Sequence, residues 1–393
     1  MNWNIAPLGK ITTIVSGTTP ESVNPSYWNG THVWVTPTDL GKLNSWIIAD
    51  SDRRITQAGV KHSNLSIIPK NSVVMSSRAP IGHLAIAGCD LYTNQGCKSF
   101  ITSDLLEPEF LFLSLRYRMS EIQALGSGST FSEISKSALE AFHISFPEIE
   151  NQRRIAALLK AQLAAVEEAR QATQAQISDA KRLIPTILEA AFAETINSEF
   201  VKIGDAAKTV SGTTPSRSQK DYWEPPKYPW VKTGEVVFNP IIRTEEYISE
   251  KALKECSLSV LQPGTVLIAM YGQGKTRGQS ALLQVAATTN QACFAILPCE
   301  AFDPEYLQFW LRHSYEVLRT QSESRGGNQP NLNGEILNQF TVPLIPRKRQ
   351  EALANQIKAS IEEAERLQSA LNQQMNDLEL LPAHLLAEAF GES

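Results

Sequence analysis

The chain has 393 residues, is 42% hydrophobic and 20% charged, and carries a net charge of −5. That length allows roughly two to four domains with cores of their own, and no run approaches the ~18 consecutive apolar residues of a membrane-spanning helix. An acidic chain is, taken whole, a poor match for a polyanion. Short β-prone runs punctuated by Gly, Pro, Asn and Ser come first: Val33-Trp34-Val35, Ile67-Ile68, Ser72-Val73-Val74-Met75 and Leu84-Ala85-Ile86. A helix is predicted from Pro108 to about Ala124, with its proline where a helix start tolerates one. From Asn151 to about Ala193 there is no glycine, and apolar residues recur at threes and fours: Ile155, Leu159, Val166, Ala169, Ile177, Ala180, Ile184, Ile187 and Ala191. The same order then repeats. Thr265-Val266-Leu267-Ile268 reads as a strand and Pro304 to Arg319 as a helix. A second long amphipathic stretch runs from Gln350 to Phe390 through Leu353, Ile357, Ile361, Ala364, Leu367, Leu371, Leu378, Leu381 and Leu385. Pro185 and Pro382 fall at matching places, where each long helix is expected to break or kink.

This order is a tandem duplication. Ser16-Gly17-Thr18-Thr19-Pro20 recurs as Ser211-Gly212-Thr213-Thr214-Pro215, and Tyr27-Trp28 as Tyr222-Trp223, both at an offset of 195. Trp34-Val35 matches Trp230-Val231, Thr93-Asn94-Gln95 matches Thr289-Asn290-Gln291, and Pro108-Glu109-Phe110-Leu111 matches Pro304-Glu305-Tyr306-Leu307, all at 196. Gln152 pairs with Gln350 and Ala191-Phe192 with Ala389-Phe390, at 198. The expected fold class is α+β: two tandem α/β domains, residues 1–148 and 198–346, separated by helical segments 149–197 and 347–393 that form an antiparallel coiled coil. The alternative is that each helix packs on its own domain alone.

Charge follows this division. Residues 1–146 hold 11 basic and 11 acidic side chains and residues 199–346 hold 14 and 15, whereas 147–198 and 347–393 hold 6 against 7 and 5 against 8. Each globular half can therefore still present a basic face, and a partner would supply much of any phosphate neutralisation. A helix from Asn151 to Ile184 would be about 50 Å long, matching about 15 base pairs of duplex. Two domains held by antiparallel helices of that length would read two short half-sites across an unread gap.

The chain resembles the specificity (S) subunit of type I restriction–modification systems. The resemblance spans essentially the whole sequence and rests on Val15-Ser16-Gly17-Thr18-Thr19-Pro20 with Tyr27-Trp28, on Ser76-Ser77-Arg78-Ala79-Pro80-Ile81-Gly82, and on Thr93-Asn94-Gln95. Phe146-Pro147 followed by Asn151-Gln152-Arg153-Arg154-Ile155, and Leu183 to Phe192 with its echo Leu381 to Phe390, add to it. It implies two target recognition domains that each read half of a bipartite asymmetric site in double-stranded DNA, and helices that set the spacer and dock methyltransferase (M) subunits, two of them expected. Restriction/motor (R) subunits would join for cleavage. S-adenosylmethionine, ATP and Mg would belong to those partners, and the S subunit itself would hold no cofactor and do no chemistry. Tyr271-Gly272-Gln273-Gly274-Lys275-Thr276-Arg277-Gly278 departs from the first copy's Ser76 to Gly82 and leaves the register of that loop open.

Catalytic look-alikes fail on inspection. Gly274-Lys275-Thr276 imitates the end of a phosphate loop, but Ala269 stands where such a loop needs its first glycine. Glu224-Pro225-Pro226-Lys227-Tyr228 imitates an amino-methyltransferase signature but begins with Glu, inserts Lys227 and lacks an upstream glycine-rich cofactor loop. Five cysteines without a Cys-x-x-Cys pair argue for reduced thiols, and no histidine sits at zinc-ligand spacing to them. With no secretory pattern in Met1-Asn2-Trp3-Asn4-Ile5, a cytoplasmic protein is expected.

Candidate base readers are polar residues on glycine-rich loops, which can enter a groove. In the first half these are Ser77, Arg78, Asn94, Gln95 and Lys98; in the second, Tyr271, Gln273, Lys275, Arg277, Asn290, Gln291 and Asn328. Arg78 and Arg277 are the expected guanine readers. Asn94-Gln95 and Asn290-Gln291, alike in both halves, either read bases or hold a turn or a phosphate. Trp28, Trp34, Trp223 and Trp230 are expected in the core. Two rival readings are a methyltransferase with its own recognition domain, which would bind S-adenosylmethionine by itself, and a structural tandem-repeat protein with a coiled-coil stalk, which would bind no DNA.

Overall fold

A computed structural model describes residues 3–78, 80–126, 133–272, 274–323 and 331–391. The chain forms two units, Met1–Gln174 with Gln373–Ser393, and Ala175–Asn372. The division passes through both long helices, Ile149–Ala193 and Arg347–Phe390, rather than at their ends.

In the first unit a five-stranded sheet runs Thr12–Ser16, Cys97–Thr102, Val73–Ser76, Leu84–Ala87, Ile47–Ile48, antiparallel except for its last pair. Beside it lies a three-stranded sheet, Arg54–Ile55, Trp28–Val35, Tyr92–Thr93. The central strand Val73–Ser76 is buried at every position because both its faces are covered. Val73 and Met75 enter the cluster built on the helix Pro108–Tyr117, while Val74 enters the one shared with Val33, Val35 and Leu40. A strand buried on both faces reads as an unbroken apolar run, which is how this one is written. The second unit repeats the plan, with a four-stranded sheet Thr209–Ser211, Cys293–Ile296, Val266–Ala269, Ser280–Leu282 and a three-stranded sheet Glu246–Ile248, Tyr228–Val231, Thr288–Thr289. In each domain a short antiparallel pair ties the first strand to the last: Asn4–Pro7 with His143–Phe146, and Glu199–Lys202 with Thr341–Leu344.

Each predicted helix at Pro108 and Pro304 is two helices. Pro108–Tyr117 is followed by Met119–Ala124, and Pro304–His313 by Tyr315–Glu323, because Arg118 and Ser314 turn the backbone out of helical geometry at ψ 20 and ψ 9. Ile67-Ile68 makes only an isolated bridge, Ile68 to Leu91, with Ile67 exposed.

Both long helices run unbroken through Pro185 and Pro382. A buried tail beyond the proline, Leu188 and Phe192 in the first helix, offsets the lost hydrogen bond. In the first unit the start of the first helix (Ala156, Leu159, Leu163) shares a cluster with the end of the second (Leu385, Leu386, Phe390). In the second unit the end of the first helix (Leu188, Phe192) shares one with the start of the second (Ala354, Ile357, Ile361), and Gln368 Nε2 donates to the Ala180 carbonyl at 2.8 Å. Start meets end in both, so the helices are antiparallel where they pack. Each domain is covered by its own helix and by the tail of the other copy's helix; the alternative of each helix on its own domain alone is set aside. The buried positions recur every seven residues, at Leu159, Val166, Thr173 and Ala180 and at Ile357, Ala364, Leu371 and Leu378. Leu367 and Leu381, expected in this seam, are 46% and 38% exposed.

Gln152 and Gln350 explain their own repetition. Each is wholly buried where strand gives way to long helix. Gln152 accepts from Glu107 N at 2.9 Å and donates to the carbonyls of Leu105 and Pro147 at 2.9 and 2.8 Å. Gln350 accepts from Asp303 N at 2.7 Å and donates to Ala301 and Ile345, both at 2.8 Å. Gln152→Ala would leave three backbone groups without this partner, and urea unfolding should show a loss of about 2 kcal/mol; an unchanged midpoint would deny the side chain this role.

Candidate functional site

The doubled Ser-Gly-Thr-Thr-Pro motif builds a tryptophan floor in each domain. A Cβ on Gly17 would lie 2.1 Å from the Asn94 carbonyl oxygen and 2.2 Å from that of Thr93, so only glycine lets the chains approach. Thr18 N then donates to Thr93 O at 2.9 Å, and Thr18 O accepts from Trp34 Nε1 at 3.1 Å. Trp28 Nε1 donates to Glu21 O at 3.1 Å, and the two indoles meet edge to face at 5.0 Å. In the second domain Thr213 N bonds Thr289 O at 3.0 Å, Trp230 Nε1 bonds Thr213 O and Trp223 Nε1 bonds Ser216 O, both at 3.1 Å, with the indoles 5.2 Å apart. Trp28, Trp34 and Trp230 are buried and Trp223 is half-buried, so these rings form a floor rather than projecting platforms.

The repeated Asn-Gln pair sits at the rim. Asn94 Oδ1 accepts from Gly96 N at 3.0 Å; Asn290 Oδ1 accepts from Ala292 N at 3.1 Å and Thr233 Oγ1 at 3.0 Å. These side chains hold a turn. The neighbouring glutamines are exposed, Gln95 accepting from Thr19 Oγ1 and Gln291 from Thr214 Oγ1. Above the first floor opens a groove of about 390 Å³ lined by Thr19, Trp34, Thr36, Arg53, Arg78 and Asn94 among others.

Three expected readers lie inside the protein. Ser77 is 0%, Lys98 5% and Arg277 6% exposed. Lys98 Nζ is held at 3.3 Å from Ser77 Oγ and 3.5 Å from Glu133 Oε1, and 35 residues of separation hid that partner from sequence reading. Arg277, expected to read guanine, is thus largely buried in this structure. Arg277 is also no counterpart of Arg78. Ser77 N bonds Gly96 O and Met270 N bonds Ala292 O, both at 2.8 Å, while Ser77 O and Met270 O accept from Ile134 N and Leu332 N. The register left open by the sequence is therefore Ser77 with Met270 and Arg78 with Tyr271; the second loop is longer. Its glycines serve backbone shape, with Gly274 at φ 64 and Gly278 at φ 87, rather than phosphate binding. Tyr315 Oη donates to Lys275 O at 2.6 Å and Arg319 Nη1 to Gly274 O at 2.9 Å, pinning that loop with Tyr271 and Lys275 exposed. Gln273 and Asn328 lie outside the described residues.

Sequence reading missed the arginines over the floor. The Arg53 guanidinium stands 3.5 Å from the Trp28 ring and 5.6 Å from Trp34. Arg217 stands 3.8 Å from Trp223 and 5.2 Å from Trp230. They are not equivalent in sequence, so no motif flagged them. Arg217 also bonds Glu246 at 2.5 Å, and Lys232 bonds Glu245 and Glu246 at 2.7 and 3.0 Å. The Arg217 hydrogen bond, joined by that from Lys232, holds the Glu246 carboxyl below its ordinary range. Among the described residues no helix is long and apolar enough to cross a membrane, and no cluster of His, Cys, Asp or Glu could hold a metal.

The model of the type I restriction–modification DNA specificity domain matches residues 1–177 and 195–377. The type I restriction enzyme MjaIX specificity subunit of Methanocaldococcus jannaschii is 29% identical over 290 residues, 69% of this chain and 67% of the relative. The EcoR124I/EcoR124II specificity subunit of Escherichia coli is 28% identical over 147 residues, 37% of this chain and 36% of the relative. Among solved structures, the HsdS subunit from Thermoanaerobacter tengcongensis superposes with a TM-score of 0.70 at 19% identity, covering 99% of this chain and 96% of that one; it supports the fold alone.

Proposed function

This chain belongs to the type I restriction–modification DNA specificity family, and we propose that it is the subunit that reads the target for such a complex, without chemistry of its own. The observation that carries this reading is one framework built twice, with floors of the same construction that carry different charged side chains: Arg53 beside Arg78 in the first, Arg217 paired with Glu246 in the second. A common scaffold with unlike surfaces is what two readers of different half-sites require. Residues 1–148 and 198–346 would be the recognition domains, with 149–197 and 347–393 setting the gap and docking the M subunits. Two M subunits and added R subunits would supply S-adenosylmethionine, ATP and Mg, in the cytoplasm. Of the expected readers, Arg78, Gln95, Tyr271, Lys275 and Gln291 keep a side chain at the surface of their domains. Asn94 and Asn290 have backbone work, and Gln273 and Asn328 stay in the proposal on sequence alone.

The test is to map methylated adenines in DNA from cells expressing this chain with its methyltransferase partner. Replacing residues 1–146 with the first domain of another family member should change one half-site and leave the other. A change in both halves refutes two independent readers. Inserting seven residues into the first long helix should widen the unread gap; an unaltered gap removes the helices from that role. Binding of S-adenosylmethionine by the isolated chain would favour the methyltransferase reading instead.

A further inference from the structure

A guanidinium stands over the tryptophan floor in both domains, Arg53 in the first and Arg217 in the second, but it comes from different positions of the repeat. Arg54 pairs with Val33 and Tyr247 with Pro229, and Val33 and Pro229 are the same position of the repeat. The preceding residues, Arg53 and Glu246, are therefore counterparts. In the first domain this position is a guanidinium lying on Trp28, exposed, beside Arg78 in the same groove. Among the described residues no carboxylate engages either arginine. In the second domain it is a carboxylate, neutralised by Arg217 and Lys232. The framework keeps its close-approach glycine, its indoles and a guanidinium over them, and varies whether a carboxylate neutralises that guanidinium.

We propose that this position determines specificity, with Arg53 reading a guanine of the first domain's half-site; the proposal rests on the DNA-reading function above. The cation–π contact, 3.5 Å from guanidinium carbon to ring centroid, restrains an otherwise exposed side chain whose planar N–H edge meets no carboxylate among the described residues. That edge is the fork that matches O6 and N7 of guanine. An exposed cation–π contact is worth only about 0.5–1 kcal/mol, so stability alone gives little reason to hold it there. Over the second floor the guanidinium of Arg217 is held by Glu246, so that fork is already engaged and the second domain does not offer it to guanine.

Adenine methylation is mapped in cells expressing the full chain with its methyltransferase partner, as wild type, Arg53→Ala, Arg53→Lys and Arg217→Ala. Both Arg53 variants should relax preference at one G·C pair of one half-site by about tenfold or more. The other half-site should keep its preference, which also reports that the chain is folded. Arg217→Ala should leave the first half-site untouched. An unaltered motif in Arg53→Ala overturns the proposal. So does a uniform fall in methylation with the motif intact, which would make Arg53 a phosphate contact, and so does full retention of preference by Arg53→Lys, which needs no planar fork. A wild-type complex with no bipartite motif would overturn the function itself, an outcome distinct from the other three.

Discussion

Phe192→Ala should lower the unfolding free energy of the second unit by about 4 kcal/mol, the range for emptying a well-packed aromatic site. The ring is 1% exposed, with Tyr306, Trp310 and His313 at centroid distances of 5.6, 5.1 and 5.4 Å. Its helix belongs to the first copy of the repeat, yet it packs on the first helix pair of the second domain. Phe390 makes the reciprocal contact in the first unit, against Trp3, Phe110 and Tyr117. Losing Phe192 therefore removes the tail's anchor, not merely a core contact. Leu380→Ala, at a site 59% exposed on the second helix, should stay within about 0.5 kcal/mol. A loss below about 1 kcal/mol for Phe192→Ala would mean that the tail is not seated. His313 gives a second readout. Burial holds its pKa below the usual imidazole value, so the unfolded chain takes up the proton first. Stability is complete above the unfolded pKa and falls as pH drops from there through the folded one. In Phe192→Ala, water reaching the ring should bring the pKa back up, visible in an NMR titration.

Gly212→Ala should cost about 3 kcal/mol or more. The new Cβ would lie 1.9 Å from the Thr289 carbonyl oxygen and 2.3 Å from its Oγ1, and a backbone atom cannot swing aside as a side-chain end can. Relief requires parting the strand from Thr289, breaking the Thr213 N–Thr289 O bond and tilting Thr213 O away from Trp230 Nε1. The second tryptophan floor would move with it, so the loss should fall on that domain's half-site as well as on stability. Gly234→Ala, where nothing lies within 4 Å, is the control and should be near neutral. Equal costs at the two glycines would refute the close-approach argument.

How much of this was legible depends on the reach of each interaction. The repeat was legible because its matched residues meet the backbone: Gly17 and Gly212 permit an approach, Gln152 and Gln350 close three bonds each, and the indoles cap carbonyls. Such roles tolerate no substitute, and so they survive as letters. The antiparallel pairing followed from two apolar stripes that could not both stay wet. The readers were less legible. Lys98 is buried with Glu133, far along the chain, at 3.5 Å, and the counterpart of Arg78 is Tyr271, three residues off the offset seen elsewhere because the segment from Trp230 to Val266 is three residues shorter than that from Trp34 to Val73.

The sequence by itself determined the duplication, the α+β class, the two long helices and the absence of the glycine pattern a phosphate loop needs, since periodicity and local backbone chemistry are written along the chain. Only the tertiary structure decided which polar side chains face outward, that each helix tail covers the other copy's domain, and that Arg53 and Glu246 share a position. Those depend on the register between strands far apart in sequence, where a few inserted residues shift every partner.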